Sequence, residues 1–435
     1  MNKMLMAAAS LVAFAAPAHA QENDLRAAVA EDYRQNLAEL FDHFHRNPEL
    51  SGRETRTAAR MAQELRSLGY EVTTGVGGTG VVAVMRNGAG PTLLMRADMD
   101  GLPLQERSGL ANASTVRQVD AAGVEQPVMH ACGHDVHITA LVGAARQMRA
   151  RRANWSGTLV LIAQPAEETI SGARAMIQDG LYTRFPKPDY ALAFHVAADG
   201  PAGRIEVPDT IVASSADSVT IRVNGVGTHG AYPHLGVDPV LVASQIVVSL
   251  QSIVSRDINP LEGAVVTVGM IHGGVKSNII PEHVDLALTV RSDSQAVRDE
   301  IIENIARVSR GTALALGVPE DRLPVVTPSP TETTPPTIND TATARRVREA
   351  IAARMGQDRL FEMPRTGMGA EDFAYFVTPD TGVRGVYMGV GGTPPAELAT
   401  AAGHHSPLFR IQAEPSVTAG VEAMVVGAEA LMPRR

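Results

Sequence analysis

The sequence is poor in cysteine and in aromatic residues. Its 435 residues include one cysteine, one tryptophan and only 4% aromatic residues in all. A single cysteine cannot form a disulfide within the chain, so a fold held together by disulfides is excluded. Cys132 is therefore either a small buried apolar residue or a residue with a chemical role. Its neighbours His130 and His134 favour the second interpretation, metal ligation.

Positive charge is also scarce relative to negative charge. The chain has 38 Lys and Arg residues against 47 Asp and Glu residues, which gives a formal net charge of −9. An acidic protein of this kind has no general attraction for nucleic acid or for an anionic membrane surface. We therefore expect neither as a partner.

Long apolar runs are missing after the first 20 residues, since none approaches the ~20 residues that a membrane-spanning helix needs. The single early run, residues 4–17, follows the charged start that contains Lys3 and precedes Ala-His-Ala at 18–20. This arrangement is typical of a secretory signal peptide cleaved after Ala20, and the short run favours it over a membrane anchor. We expect a soluble mature chain that is periplasmic or secreted.

The order of secondary-structure patterns predicts two domains, as the chain length also does. Up to about residue 208, apolar strand patterns such as 158–163 alternate with helical patterns such as 134–149, which predicts an α/β fold with a mostly parallel sheet. The order then changes to β-α-β-β-α-β, that of a ferredoxin-like unit. Because four prolines at 328–336 are typical of a linker, we predict an inserted domain at 211–328. The larger domain comprises 21–210 and 329–435.

Five separate segments carry the thiol, imidazole and carboxylate groups that bind divalent first-row metals. They are RADMD at 96–100, MHACGHD at 129–135, QPAEE at 164–168, FH at 194–195 and GHHSP at 403–407. Several of them follow apolar strands, and open α/β sheets place their sites at the carboxyl ends of strands. The sequence therefore predicts that these segments meet in one metal site.

Two of these segments have informative spacing. Cys132 and His134 flank Gly133 on a tight turn, so both can reach one metal pair. Neighbouring residues of an extended chain point to opposite sides, so one of Glu167 and Glu168 can bind metal while the other faces a substrate. A solvated turn is the alternative for this acidic pair, but the apolar strand before it favours an interior position.

The other candidates are weaker when each is taken alone. His195 ends an apolar strand, where a histidine is more often a core residue than a ligand, and His405 follows His404 in a loop. Asp98 and Asp100 alternate at the end of a strand, where carboxylates commonly cap the following turn.

Six motifs together resemble one family of metal-dependent amidohydrolases. It includes hippurate hydrolase, the indoleacetyl-amino-acid hydrolases, and related N-acyl-amino-acid deacylases and carboxypeptidases. The motifs are RADMDGLPL at 96–104, MHACGHD at 129–135, QPAEE at 164–168, GAYPH at 230–234, NIIPE at 278–282 and MGAEDF at 368–373. The resemblance extends from about His45 to Pro407. It implies an aminopeptidase-like catalytic domain with an inserted lid and dimerisation domain.

The resemblance also implies the roles of individual residues. The implied metal ligands are Cys132, His134, Glu168, His195 and His405. They would hold two divalent ions per subunit, of zinc, manganese or cobalt, with Glu167 as general base. Asp100 resembles a carboxylate that orients a ligand imidazole.

Three residues of the predicted insertion are implied to act on the substrate. His229 resembles a histidine that stabilises the oxyanion, often in the partner subunit's site, which implies a homodimer formed through the inserted domain. Asn278 and Arg291 are candidates for binding the substrate carboxylate. A turn asparagine and a solvated strand arginine remain the alternatives for these two.

The implied activity is hydrolysis of the amide bond of an N-acyl amino acid or a small peptide. A dipeptidase or carboxypeptidase of the same fold, or a non-catalytic periplasmic metal- or solute-binding protein, is the alternative. The sequence departs from the family pattern at 110–127, which is longer and more polar and is expected to lie next to the site and to affect substrate choice. It departs also at Thr228 and at His404, each beside a candidate residue.

Overall fold

The computed structural model describes residues 18–434. The predicted signal peptide at 1–20 therefore lies outside the described residues, except for Ala18–Ala20 at the start of the first helix. The export prediction stays a prediction.

The described chain is built from the following helices and strands. The helices are α1 (Ala18–Asp32), α2 (Ala38–Arg46), α3 (Thr55–Ser67), α4 (His134–Ala150), α5 (Gly172–Gln178), α6 (Leu181–Arg184), α7 (Pro239–Ser252), α8 (Gln295–Ala315), α9 (Thr341–Met355) and α10 (Ala413–Leu431). The strands are β1 (Glu71–Val76), β2 (Gly80–Asn87), β3 (Thr92–Asp98), β4 (Arg117–Val119), β5 (Glu125–Pro127), β6 (Gly157–Gln164), β7 (Tyr190–Pro201), β8 (Ile205–Glu206), β9 (Ile211–Ala213), β10 (Ala216–Asn224), β11 (Thr228–His229), β12 (Ala264–Gly273), β13 (Ile279–Ile280), β14 (His283–Ser292), β15 (Val325–Thr334), β16 (Thr337–Ile338) and β17 (Arg384–Thr393).

A seven-stranded sheet in the order β1-β2-β6-β3-β7-β17-β8 forms the larger body. The four central strands β6, β3, β7 and β17 pair in parallel, and the outer strands pair antiparallel. Alternate residues of the central strands enter two different apolar cores, as Leu93 and Leu94 do. Burial on both faces explains why these strands are continuously apolar. The predicted α/β class with a mostly parallel sheet is confirmed.

Helices α4 and α10 cover one face of this sheet and lie very close to each other. A Cβ atom added to Gly143 of α4 would lie 2.5 Å from Val421 Cγ2 of α10. Only glycine therefore permits this approach. The contact fixes α4, whose first residue is the candidate ligand His134.

A second, antiparallel sheet has the strand order β12-β14-β10-β15. Helices α7 and α8 pack on one face and share a core with it through residues such as Ile246 and Ile301. This order is that of a ferredoxin-like unit. The sheet spans Ala216 to Thr334, and the exact domain boundaries stay predictions.

The prediction of a linker at 328–336 was wrong. Most of this segment belongs to β15, in which Pro328 is paired with Val219 of β10. Strand β15 lies at the edge of the sheet, where a residue without an N–H group is tolerated because only one side of the strand is paired. The prolines thus mark an edge strand.

Within residues 18–434, Pro239–Asp257 is the one helix that is long and apolar enough to span a membrane, judged by length and composition alone. Its side chains at Val242, Ile246 and Leu250 are buried against the four-stranded sheet. Val248 and Leu241 on the other side are exposed. One-sided burial is typical of an amphipathic helix that packs on a sheet.

Candidate metal centre

Gly133 shapes the turn that presents Cys132 and His134. Its φ is +80°, in the left-handed region, and an added Cβ would lie 2.2 Å from Val196 Cγ1. Both observations require glycine. Cys132, 8% exposed, therefore precedes a fixed turn, and His134 begins α4 directly after it.

The Cys132 thiol lies at the centre of the predicted ligands. Its Sγ atom is 3.3 Å from His195 Nε2 and 3.4 Å from His405 Nε2. His405 Nε2 is in turn 3.2 Å from Glu168 Oε2. Side chains from four separate parts of the chain thus direct their donor atoms to one place.

His134 completes the group, and Asp100 orients it. The imidazole Nδ1 of His134 donates to the Asp100 carbonyl oxygen at 2.9 Å and lies 3.3 Å from Asp100 Oδ1. This leaves Nε2 facing Asp98 Oδ2 at 3.6 Å and Glu168 Oε1 at 3.9 Å. A carboxylate residue that fixes the ring of a ligand histidine is common around metals.

The donor set fits a bound divalent metal pair. His134 Nε2 and Glu168 Oε1 are buried, and neither makes a hydrogen bond within residues 18–434. Buried polar atoms without a partner are costly, so they point to a missing partner. One thiol, three imidazoles and one carboxylate are the ligand types that zinc, manganese and cobalt accept.

The electrostatics of the group also favour a cation. Although burial lowers the pKa of His134, the charges of Asp98 and Asp100 raise it to about 10. Burial and the carboxylates of Glu168 and Glu167 hold the pKa of the Cys132 thiol well above its usual range. A bound metal ion would satisfy this excess of negative charge and would deprotonate the thiol.

Two adjacent histidines at 404 and 405 have different environments. His405 has a left-handed φ of 61° and donates its backbone N–H to Ala131 O at 3.0 Å. His404 Nε2 instead bonds the Val196 carbonyl oxygen at 2.8 Å. Left-handed backbone at a non-glycine residue is a form of strain that clusters at functional sites. The geometry favours His405 as the ligand.

Glu167 lies beside the ligands but makes no side-chain hydrogen bond within the described chain. It is 6% exposed, and its carboxylate lies within 4.8 Å of ligand atoms on both His134 and Glu168. It also faces Glu371 and Asp372. Burial and the charges of these two acids hold its pKa well above the usual range, which suits a group that takes up protons.

A buried ion network behind Glu167 was missed at the sequence level. Arg96 bonds Asp98 at 2.7 Å, Glu371 at 2.7 Å and Gln164 at 2.8 Å. Although burial raises the pKa of Asp98, the Arg96 guanidinium outweighs it and holds the pKa well below its usual range. Asp98 is therefore a partner of a buried arginine, a role that differs from the turn cap that the sequence offered as its alternative.

Two signals could have revealed this network. Arg96 and Asp98 alternate along β3 and so share one face of the sheet. The motif at 368–373 contains two adjacent acids, Glu371 and Asp372, that the sequence argument left without a role.

Four of the five candidate ligands, Cys132, Glu168, His195 and His405, line a cavity of about 840 Å³ that Arg291 also lines. Arg291 lies on β14 of the second sheet and is half-buried. Within residues 18–434 its guanidinium has no hydrogen-bond or ion-pair partner closer than 4.0 Å, and burial lowers its pKa. An arginine without a counter-ion in a cavity is suited to bind an anionic group of a ligand.

The structure does not bring His229 and Asn278 to this cavity. His229 is exposed and accepts a hydrogen bond at Nδ1 from Ala231 N at 3.0 Å. Asn278 is exposed, and its backbone carbonyl oxygen accepts a hydrogen bond from Gly230 N at 2.8 Å. Within one chain, His229 instead lines a separate cavity together with His272 and His283.

The effect of the long segment 110–127 on substrate choice stays a prediction. None of its residues lines the cavity of the candidate ligands. Leu110 and Asn112 line a separate cavity of about 230 Å³, with His45 and His130. The rest forms the hairpin β4–β5 against the turn at 50–53.

Comparisons with known proteins agree with this geometry. The model of peptidase family M20/M25/M40 matches residues 94–428. The chain is similar to hippurate hydrolase of Campylobacter jejuni, with 35% identity over 346 residues, 79% of this chain and 86% of the relative. It is also similar to thermostable carboxypeptidase 2 of Saccharolobus solfataricus, with 36% identity over 276 residues, 62% of this chain and 67% of the relative.

A solved structure from Bacillus subtilis, described as a dinuclear metal-binding peptidase of the M20 family, superposes with a TM-score of 0.73. It is 28% identical and the match covers 91% of this chain and 98% of that one. The shared fold therefore extends over both sheets.

Proposed function

Because the chain belongs to peptidase family M20/M25/M40, we propose that it is a metal-dependent hydrolase of the amide bond in N-acyl amino acids or small peptides. Membership of this family confirms the resemblance on which the sequence argument rested. The observation that carries the proposal is the convergence of five predicted ligands beside the buried Glu167.

The proposed cofactor is a pair of divalent metal ions held by Cys132, His134, Glu168, His195 and His405. The two-metal description of the Bacillus subtilis structure supports the number, and the mixed donor set suits zinc, manganese or cobalt. When bound, such a pair polarises a substrate carbonyl and acidifies a water molecule.

Glu167 is the proposed proton carrier. No group of the described chain donates a hydrogen bond to its carboxylate, which borders the ligands. The carboxylate is therefore free to take a proton and to return it to the leaving amine. Such groups work best when their pKa is brought towards the working pH, and burial shifts this carboxyl in that direction.

Arg291 is the proposed anchor of the substrate carboxylate. Both N-acyl amino acids and the last residue of a peptide carry a free carboxylate, which an arginine can bind through two parallel hydrogen bonds. Apolar side chains of the same cavity, including Val212, Met363 and Met368, are available to contact an acyl group.

A homodimer through the second sheet is proposed for the complete enzyme. Strand β12 is an edge strand that exposes Met270 and Ile271, and exposed edges are ready for pairing with another chain. Helix α7 exposes Leu241 and Val248 beside it. In such a dimer, His229 would serve as the oxyanion donor in the partner subunit's cavity.

Export to the periplasm or the medium is also proposed, on the pattern of residues 1–20 alone. N-terminal sequencing of the protein recovered outside the cytoplasm tests it. A mature start at Gln21 is expected, and an intact Met1 on membrane-bound material would contradict it.

A screen of the metal-loaded protein tests the activity. N-acyl amino acids and dipeptides are offered to protein loaded with zinc, manganese or cobalt, and release of a free amine is measured. Preference for N-acyl amino acids supports a deacylase, and preference for dipeptides identifies a peptidase of the same fold. Tight metal binding without any hydrolysis would favour the binding-protein alternative.

A further inference from the structure

The loop that carries Glu167 and Glu168 contains an unusual backbone conformation. Ala166, the residue directly before them, has a φ of +51° in the left-handed region. Alanine adopts this region rarely, because its Cβ crowds the following carbonyl oxygen. The direction of both carboxylates depends on this residue, so something must hold it in place.

The loop itself supplies part of that support. The carbonyl oxygen of Ala166 accepts hydrogen bonds from Ser171 N at 3.2 Å and Gly172 N at 3.1 Å. Gly172 has no room for a side chain, since an added Cβ would lie 1.6 Å from Pro165 O. These contacts close the loop but leave the N–H group of Ala166 to be satisfied from outside it.

Glu54 satisfies that N–H group from a distant part of the chain. Its side chain is fully buried, and Oε1 accepts from Ala166 N at 2.9 Å and from Gly52 N at 2.7 Å. Oε2 accepts from Thr79 Oγ1 at 2.5 Å. No cation pairs with this carboxylate in the described chain, so it is stabilised by hydrogen bonds alone.

The turn from Leu50 to Glu54 reaches the other half of the site as well. Ser51 Oγ donates to Asp100 Oδ2 at 2.6 Å, and the same oxygen accepts from Glu168 N at 3.0 Å. The turn is therefore tied both to the residue that orients His134 and to the loop of the two carboxylates.

The hairpin β4–β5 holds this turn at both ends. Gln118 Oε1 accepts from Leu50 N at 2.6 Å, and Gln118 Nε2 donates to Arg53 O at 3.3 Å. A clamped turn gives Glu54 a fixed position from which to act.

We propose that Glu54 is a positioning residue that holds Ala166 in its left-handed conformation and thereby keeps Glu168 directed at the metal ligands and Glu167 at the cavity. Nothing in the reaction requires Glu54 to touch substrate or metal. The expected effect on turnover rests on the proposed function, whereas the expected effect on metal affinity does not.

The first test compares Glu54→Ala, Glu54→Gln and Thr79→Val. Cobalt affinity is measured by competition with a chelator, and turnover is measured on the substrate found in the screen. Loss of a group that orients ligands typically weakens metal binding or activity about 10–100-fold. We expect this loss, in cobalt affinity and in kcat, for Glu54→Ala.

The two other variants serve as controls. Glu54→Gln keeps an oxygen that accepts from Ala166 N, and its amide can donate a hydrogen bond to the Thr79 hydroxyl. This variant should therefore keep most of the cobalt affinity and most of kcat. Thr79→Val removes the partner of Oε2 but leaves the contact of Oε1 with Ala166 N in place, so it should keep a higher cobalt affinity than Glu54→Ala.

The second test adds Ala166→Gly to Glu54→Ala. Glycine adopts positive φ without steric cost, so it should recover part of the lost metal affinity if Glu54 acts through Ala166. A merely structural role of Glu54 elsewhere predicts no recovery. Wild-type cobalt affinity in folded Glu54→Ala, or no recovery in the double variant, would overturn the proposal.

A milder variant covers the case in which Glu54→Ala does not fold. Glu54→Asp withdraws the carboxylate by one methylene group and should weaken cobalt binding in the same direction, again with recovery by Ala166→Gly; an unchanged affinity would overturn the proposal. If wild-type protein binds cobalt but hydrolyses none of the substrates, the proposed function fails, and the cobalt affinities still decide the role of Glu54.

Discussion

Replacement of each neighbouring carboxylate by its amide should have different effects at 167 and at 168. Glu167→Gln keeps the shape of the side chain but cannot accept a proton, so we expect loss of amide hydrolysis with both metals retained. Glu168→Gln should weaken or remove one metal, because a neutral amide is a poor ligand at the position 3.2 Å from His405 Nε2.

The structure sets the expected size of the effect at Glu167. A general acid–base group typically contributes about 10²–10⁴-fold to the rate, which corresponds to about 3–5.5 kcal/mol of activation free energy. We expect the upper part of this range because two other acids of the cavity are already engaged elsewhere. Glu371 is bound to Arg96 and to the Tyr387 hydroxyl, and Glu206 accepts from Met363 N at 2.9 Å.

The assay is paired. Metal content per subunit is measured after gel filtration, and turnover is measured on the same preparation with a responsive N-acyl amino acid or dipeptide. Glu206→Gln is the matched control, since Glu206 lines the same cavity without belonging to the ligand group. It should keep both metals and most of the turnover.

Three results would refute the assignment. Full activity of Glu167→Gln would remove the proposed proton carrier, and loss of metal from Glu167→Gln with retention in Glu168→Gln would reverse the two roles. Equal metal loss in both would mean that both carboxylates are ligands.

The metal-free protein gives a further check on Glu167. Burial, Glu371 and Asp372 raise its pKa above the ordinary value of 4.5, so the folded chain binds a proton that the unfolded chain releases. This contribution to the free energy of unfolding is complete below about pH 4.5 and is lost as pH rises towards the folded pKa. After metal removal with a chelator, the free energy of unfolding, measured with urea, should therefore fall less for Glu167→Gln than for wild type as the pH rises above about 4.5.

Three other predictions follow from the site. Cys132 should resist thiol reagents in the metal-loaded protein and react after chelation, and equal labelling in both states, with full metal content in Cys132→Ser, would show a structural cysteine. His229→Ala should lower kcat without metal loss, and mixing it with Glu167→Gln subunits should restore some activity; no recovery in a confirmed heterodimer would rule out a shared site. Arg291→Gln should reduce kcat/KM about 10–100-fold for substrates with a free carboxylate, because a charged hydrogen-bond partner is lost. It should have little effect on kcat/KM for the corresponding carboxamides. Equal losses on both kinds of substrate would exclude carboxylate binding.

Sequence reasoning reached the metal centre because its residues lie in short motifs. Cys132 and His134 are two positions apart, and Glu167 and Glu168 are adjacent, so spacing alone suggested that one of the two glutamates binds metal, and the family resemblance assigned that role to Glu168. The five-ligand set then required a family resemblance, since His195 and His405 carry weak signals in isolation.

The supporting contacts were not predictable in the same way. Glu54 meets Ala166 across 112 positions, and Arg96 meets Glu371 across 275, so no local pattern connects them. The prolines of β15 were misread for a related reason. Whether a proline interrupts a strand depends on whether that strand lies at an edge, which is a property of the assembled sheet.

The position of β17 in the large sheet has a consequence for how the protein folds. This strand pairs in parallel with β7, although the two are separated by the whole second sheet along the chain, and His405 follows it. Pairings between such distant segments close slowly, because the loop entropy is lost before the contacts form. Until residues 384–405 emerge from the ribosome, β7 offers an open edge and the thiol of Cys132 lacks one of its partners. Truncation before Arg384 should therefore give chains that aggregate and bind metal weakly.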